Sequence, residues 1–340
     1  MCKLADMIPL NFLNDNSPLL LYSNTQRSLS DVEKQKLKVI TTFSGIGMQE
    51  RGLENTNLFD LDVLHTCEID IWAIISYAAI HNNLTLEMVD TYDYPSREEM
   101  AEELSAMHIG YNFKKKKEYN WKKKVNSKKD TLLQKTWLAC KLNKNVGDIT
   151  LVDKFPYCDL FTFSFPCTDL SNAGQQKGMI KGETRSGLVY EVLRILENEE
   201  PENRPRFMLM ENVSALVNKK NLPVYEEINK EFKSLGYDVR FKILEGSLAG
   251  VPQHRERVFA LYYKENIDGF TFPLNFDCNM TLQDIMHEEV DEKYYVKHPY
   301  SESYIQEVQQ DETIDEDDFE IIHNPENYEI IRNIKCRKIK

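Results

Sequence analysis

No stretch of this chain is long and apolar enough to cross a bilayer. The longest apolar run, Ile71-Trp72-Ala73-Ile74-Ile75 and on to Ile80, falls short of the roughly 20 residues a membrane helix needs. The N-terminus lacks a basic segment leading into an apolar core, so no signal peptide is expected. Cysteine is sparse and scattered, at positions 2, 67, 140, 158, 167, 278 and 336, with no CxxC pair. That excludes a disulfide framework, suggests no zinc site, and fits reduced thiols in a cytoplasmic protein. Positive charge is also short. Lys and Arg number 42 against 55 Asp and Glu, a net charge of −13, which at first disfavours a nucleic-acid partner. What the chain does have is length, 340 residues, with 41% apolar content. That suffices for one large domain and part of another.

The charge is unevenly placed. Residues 281–340 carry −9, which leaves −4 for the first 280. Inside those 280, Lys114 to Lys129 holds nine lysines against Glu118 alone. Such a run is often a solvated surface insertion. It also suits a phosphate-contacting arm, with Tyr119 and Trp121 interleaved as stacking groups.

Residues 1–36 form a leader without pattern. From Leu37 the sequence alternates strand-like and helix-like segments. Strands are expected over Leu37–Thr42, Asp62–Cys67, Asp159–Phe163 and Arg206–Met210, and a final pair over Tyr237–Leu244 and Arg257–Tyr263. Helices are expected over Ile71–Ile80, Ser186–Asn198 and Pro223–Leu235, the last closed by Gly236. This alternation predicts an α/β fold, a mainly parallel sheet with helices on both faces. Ligands bind such sheets beyond the carboxyl ends of the strands. The polar punctuation after the strands reads "FSGIG", "CEID", "FPC" and "MENV", and all four should gather along one sheet edge.

Phe43-Ser44-Gly45-Ile46-Gly47 follows a strand and opens a helix, with two glycines that let a ligand approach the backbone. The third glycine of a dinucleotide fingerprint is replaced by Glu50. Glu68 ends the next strand, where an acid can grip ribose hydroxyls. A negative Glu50 at the helix start suits a nucleoside without phosphates better than a pyrophosphate, and S-adenosylmethionine is one. Cys167, directly after Pro166, is either a core residue or a thiolate held at the mouth of a site. Glu211 is either a helix cap or a group that gives and takes protons. On a strand, Gln253, Arg255 and Arg257 would share one face, turned to water or to an anion or base edge.

In order and content these blocks resemble the C5-cytosine DNA methyltransferase family: "FSGIG", "CEID" with Trp72, "GDIT" at 147–150, "FPCTDLS", "ENV" and "QHRER". The segment "AGQQKGMIKGETRSGL" is similar to the family's linker after its catalytic cysteine. The match runs from about Leu37 to Tyr295. It implies a Rossmann-like S-adenosylmethionine-dependent methyltransferase sheet over residues 37–280, with a basic insertion at about 84–146. The start of a small recognition domain with an acidic tail would follow over 281–340.

The resemblance implies roles as well. Cys167 matches the nucleophile that adds to C6 of a flipped cytosine and makes C5 nucleophilic. Glu211 matches the acid that binds N3 and the exocyclic amine, Arg257 would meet O2, and Arg255 would hold the loop and a backbone phosphate. On the cofactor side, Phe43, Ser44, Gly45, Ile46 and Gly47 line the donor and Glu68 takes the ribose. Ile69 and Trp72 flank the adenine, Asp148 bonds its amine with Ile149 beside the ring, and Leu188 meets the amino-acid end. The product would be S-adenosyl-L-homocysteine, no metal is implied, and the partner is double-stranded DNA.

Three features depart from the family. Thr41 stands where an acid is usual, two residues before Phe43. Glu68 and Asp148 are 80 residues apart, with the lysine run between them. No Gly-Asn-Ser or Gly-Asn-Ala closing element occurs. The chain is therefore expected to be truncated, or to be one half of an enzyme completed by a second polypeptide. The function this implies is DNA (cytosine-5-)-methyltransferase of restriction–modification or phage type, in the cytoplasm of a bacterial or phage-infected cell. The alternatives are an RNA cytosine-5 methyltransferase and an inactive or partner-dependent subunit. A nicotinamide oxidoreductase is disfavoured by the glycine pattern.

Overall fold

The computed structural model describes residues 34–112, 116–127, 131–167, 179–249, 252–265, 267, 270–272, 281, 283–285, 320–324 and 328–332. The expected leader up to residue 33, the linker at 168–178 and the acidic stretch at 311–319 lie outside the described residues. The chain divides into two compact units, Met1–Thr281 and Leu282–Lys340.

Among its described residues the first unit holds six strands: β1 Gln35–Thr42, β2 Phe59–Cys67, β3 Leu160–Phe163, β4 Phe207–Val213, β5 Asp238–Glu245 and β6 Glu256–Tyr263. Their order in the sheet is β2-β1-β3-β4-β6-β5. The pairs β1–β2, β1–β3 and β3–β4 are parallel, while β6 runs antiparallel to both β4 and β5. This is the expected doubly wound α/β sheet, with one reversed strand.

The helices are α1 Met48–Glu54, α2 Ile71–His81, α3 Leu86–Thr91, α4 Arg97–Ala106, α5 Lys122–Val125, α6 Leu132–Leu142, α7 Val189–Asn198 and α8 Leu222–Ser234. The central strands are apolar at successive positions because both their faces are covered. Ile40, Phe161, Phe163, Met208 and Met210 pack in one core with Val192 of α7 and with Ile228 and Phe232 of α8. Their strand neighbours Val39, Leu160, Phe207 and Leu209 point the other way, into a core with Leu53 of α1, Ile267 and Phe270. The period of two along each strand separates these cores. A third apolar cluster joins α2 to α4 and α6 through Ile74, Leu104, Leu133 and Trp137.

That third cluster corrects one expectation. Trp121 is 1% exposed, its indole N–H donates to the Ile109 carbonyl at 2.9 Å, and its ring packs against Tyr119. A residue so enclosed anchors the lysine-rich segment and presents no face on which a base can stack.

Two strand boundaries also differ. β4 runs three residues past Met210, because it stays paired with β6 after β3 has ended at Phe163. Glu211 therefore lies within a strand, opposite Phe259. β6 begins at Glu256, one residue before its expected start at Arg257, and Gln253 and Arg255 precede it, so these two do not share a strand face with Arg257. In the second unit, β7 Glu320–Asn324 and β8 Tyr328–Arg332 form an antiparallel pair.

Candidate active site

The turn after β1 is stitched to the end of β2. The Ser44 hydroxyl donates to the Thr41 carbonyl at 3.0 Å and accepts from the Cys67 N–H at 3.1 Å. Gly45 N–H donates to Glu68 Oε2 at 2.9 Å. Gly47 takes φ 77° at the head of α1, and a side chain there would run into the His81 and Tyr77 rings. Only glycine satisfies both conditions. Glu68 Oε1 accepts from the Ile69 and Asp70 N–H groups at 2.8 and 2.9 Å. Burial pushes the Glu68 carboxyl up from its usual range, and these backbone donors pull it back only in part. An ionised carboxylate has about four acceptor sites. Three are taken here, and the remaining one is on Oε2.

Asn145 fixes Glu68 from the far side. Its amide accepts from Glu68 N–H at 3.0 Å and donates to the Glu68 carbonyl at 2.9 Å. That pairing draws the segment ending in Gly147 and Asp148 alongside β2, where Asn145 bridges Thr66. Asp148 is 6% exposed. Its Oδ1 accepts from Thr150 N–H at 3.0 Å and its Oδ2 lies 3.2 Å from His108 Nδ1. The Cys67 thiol donates to the Gly147 carbonyl at 2.9 Å, and burial pushes that thiol well above its ordinary value.

A pocket opens at this edge. Phe43, Glu68, Ile69, Asp148, Ile149 and Leu188 line it, all of them expected from the sequence. Cys67, Gly147, Pro166 and Arg185 complete the lining and were not foreseen. Ser44, Gly45, Ile46 and Gly47 form the turn beside it. Gly45 faces open space, Ile46 is exposed, and Trp72 on α2 is 67% exposed and outside the lining. Glu50 is 1% exposed, tucked beneath the turn and hydrogen-bonded to Thr41. Its charge is thus kept away from the pocket, and burial raises its pKa.

Pro166 links this pocket to the second half of the site. The loop from Phe165 to Cys167 leaves the end of β3. Asn212 of β4 donates from Nδ2 to the Phe165 carbonyl at 3.0 Å, and Ser186 donates to the Pro166 carbonyl at 2.8 Å. Two successive carbonyls before the cysteine are thereby held by different elements. Cys167 itself is partly accessible, whereas Cys67, Cys140 and Cys158 are buried.

Val213 is opposite Arg257 and Glu211 opposite Phe259 in the β4–β6 ladder, so Glu211 and Arg257 are diagonal neighbours on one face. Arg257 Nε lies 3.0 Å from Glu211 Oε1. Burial raises the Glu211 carboxyl, opposed by the Arg257 and Arg255 charges and by a hydrogen bond from Ser164. Ser164 also accepts from Gln49 of α1 at 2.8 Å. Among the described residues no cluster of His, Cys, Asp and Glu is arranged to hold a metal. No described helix is long and apolar enough to cross a membrane.

The fold and edge together define a doubly wound α/β protein. It has a pocket at the strand ends, a cysteine that directly follows a lining residue, and, on the strand clamped to that loop, a carboxyl of raised pKa paired with an arginine. The model of the C-5 cytosine-specific DNA methylase family matches residues 108–338, a span that contains Asp148, Cys167, Glu211 and Arg257. The chain is 35% identical over 264 residues to the type II methyltransferase M2.ScrFI of Lactococcus lactis subsp. cremoris, covering 77% of this chain and 70% of that protein. It is 37% identical over 242 residues to the orphan methyltransferase M.SssI of Spiroplasma monobiae, covering 68% of this chain and 61% of that one. Among solved structures, the S. pombe Dnmt2 methyltransferase is similar at 16% identity and a TM-score of 0.46, over 81% of this chain and 67% of that chain. This chain belongs to the C-5 cytosine-specific DNA methylase family. It spans about two thirds of the length of the curated relatives it matches.

Proposed function

We propose that this chain carries the catalytic domain of a DNA (cytosine-5-)-methyltransferase, with Cys167 as nucleophile and S-adenosylmethionine as donor. One observation carries this reading. Pro166 lines the pocket that holds Glu68 and Asp148, and the adjoining Cys167 sits on a loop clamped to the strand that bears Glu211. Methyl donor and nucleophile would thus meet at one point of the sheet edge.

The pocket fits the cofactor chemically. Glu68 keeps one acceptor site for a ribose hydroxyl, and Gly45 leaves its side of the turn open. Asp148 and Ile149 supply a polar and an apolar wall for the base, and Leu188 an apolar contact further along. S-adenosylmethionine, when bound, supplies the methyl group as an electrophile.

The rest of the chemistry falls to the protein. The Cys167 thiolate adds to C6 of a cytosine turned out of the duplex, forming the Sγ–C6 bond. Glu211, held up in pKa by burial, keeps a proton at N3 as electron density builds on the ring. Arg257 neutralises the oxygen at C2 and holds Glu211 in place. C5 then takes the methyl group and gives up its proton to water, and as that proton leaves the Sγ–C6 bond breaks and the Cys167 thiolate is freed. Arg255 is exposed yet within electrostatic reach of Glu211, which suits a backbone phosphate. Double-stranded DNA is the proposed substrate. A recognition domain and a closing Gly-Asn segment would come from further chain or from a second polypeptide. With those parts supplied, methyl transfer to duplex DNA by the parent chain should vanish in Cys167→Ser while S-adenosylhomocysteine binding persists. Transfer that survives the substitution refutes the assignment.

A further inference from the structure

The described part of the lysine-rich segment, residues 116–127, is anchored to the helices around it, and this bears on what it can bind. The Arg97 guanidinium donates to the carbonyls of Lys124, Val125 and Ser127 at 2.8, 2.9 and 3.2 Å. Trp121 is sunk in the helical core, and Asn112 and Lys117 exchange two backbone hydrogen bonds at 2.8 and 3.2 Å. Lys116, Lys117, Lys122 and Lys123 are exposed on this frame. Four like charges on one anchored segment favour a polyanion, which offsets their mutual repulsion. Glu118, the one acid in the run, lies 3.9 Å from His108.

The frame also abuts the pocket. Asp148 N–H donates to the Met107 carbonyl at 3.1 Å and Gly110 N–H donates to the Ile69 carbonyl at 2.7 Å. The strap from Met107 to Asn112 therefore touches pocket residues on one side and the basic hairpin on the other.

We propose that Lys116, Lys117, Lys122 and Lys123 form a basic ledge that binds the phosphate backbone of duplex DNA outside the target base. This deepens the methyltransferase reading and rests on it for the choice of duplex DNA. The test uses the full chain and a dA·dT duplex, which contains no cytosine, so that binding is measured apart from chemistry. Fluorescence anisotropy across a salt series should give a slope of log K against log[salt] that is smaller by about 3 to 4 when all four lysines become glutamine, at ~0.9 per phosphate contact. Near-ultraviolet circular dichroism and S-adenosylhomocysteine affinity should stay unchanged, because the four side chains are exposed. An unchanged slope, or no binding of the duplex by the parent chain, overturns the proposal. So does a loss confined to single-stranded RNA of the same length. Failure of Cys167→Ser to abolish methylation would defeat the catalytic reading and leave the salt slope still interpretable.

Discussion

Replacing Asn212 with alanine should loosen the loop that presents Cys167 without touching the cysteine. Asn212 is 3% exposed, and its Nδ2 donates to the Phe165 carbonyl at 3.0 Å while its Oδ1 accepts from Val213 N–H at 2.9 Å. Each such bond contributes about 1 kcal/mol net, and a buried group left without a partner costs about 1–3 kcal/mol. The Phe165 carbonyl and the Val213 N–H both lose this partner, so the expected loss of stability is about 2–4 kcal/mol. Urea unfolding with linear extrapolation measures it. A second readout separates loop release from general softening. With Ser186 alone still holding Pro166, Cys167 should be alkylated by iodoacetamide faster than in the parent chain, as read by peptide mapping, while buried Cys67, Cys140 and Cys158 stay protected. Asn212→Asp keeps the shape but removes the donor, and should behave at least as badly. A stability change below about 0.5 kcal/mol with an unaltered Cys167 alkylation rate would refute the clamp.

Glu68→Ala should weaken S-adenosylhomocysteine binding by roughly 1.5–3 kcal/mol on calorimetry, because the lost bonds are charge-assisted. It should also lower the melting temperature, since three backbone N–H groups lose their acceptor. Glu50 has a folded pKa above its unfolded value, so the folded state binds the extra proton and stability falls as pH rises through that interval. Glu50→Gln should therefore be more stable than the parent at pH 8, with the difference shrinking towards pH 4; a melting-temperature difference independent of pH would contradict this. Arg257→Gln removes the leading charge that holds Glu211 down, so the Glu211 pKa should rise further. The alkaline limb of the pH–rate profile should then move to higher pH. An alkaline limb that stays in place while the acid limb moves to higher pH would mean that Glu211 acts as an anion.

The central strands were legible because burial on two faces writes them as short apolar runs, as in Leu160–Phe163. The pocket edge was legible because glycines and acids punctuate those runs at Gly45, Glu68 and Asp148. Glu211 looked like the residue after a strand because its own text turns polar there. What extends the strand is pairing to β6 beyond the end of β3, which no local pattern carries. The alternation of Gln253, Arg255 and Arg257 suggests one shared strand face, but pairing with β5 begins at Glu256, one residue after Arg255. Asn145, His108, Ser186 and Asn212 hold the site through bonds to residues 20 to 77 positions away. Single polar residues of that kind leave no periodic trace. Trp121 reads as a solvent-facing residue because nine lysines surround it in sequence, while its ring reaches back into the cluster that joins α4 and α6.

The central claim, that Cys167 is the attacking group, is tested most directly by trapping. A duplex carrying 5-fluorocytosine at a target base blocks loss of the C5 substituent, so the Sγ–C6 bond formed before methyl transfer cannot be released. With S-adenosylmethionine present, and with the recognition domain supplied on further chain or a second polypeptide, proteolysis and mass spectrometry should find the nucleotide on the peptide that contains Cys167. Attachment at any other cysteine, or methylation of cytosine by the Cys167→Ser chain, would contradict the claim.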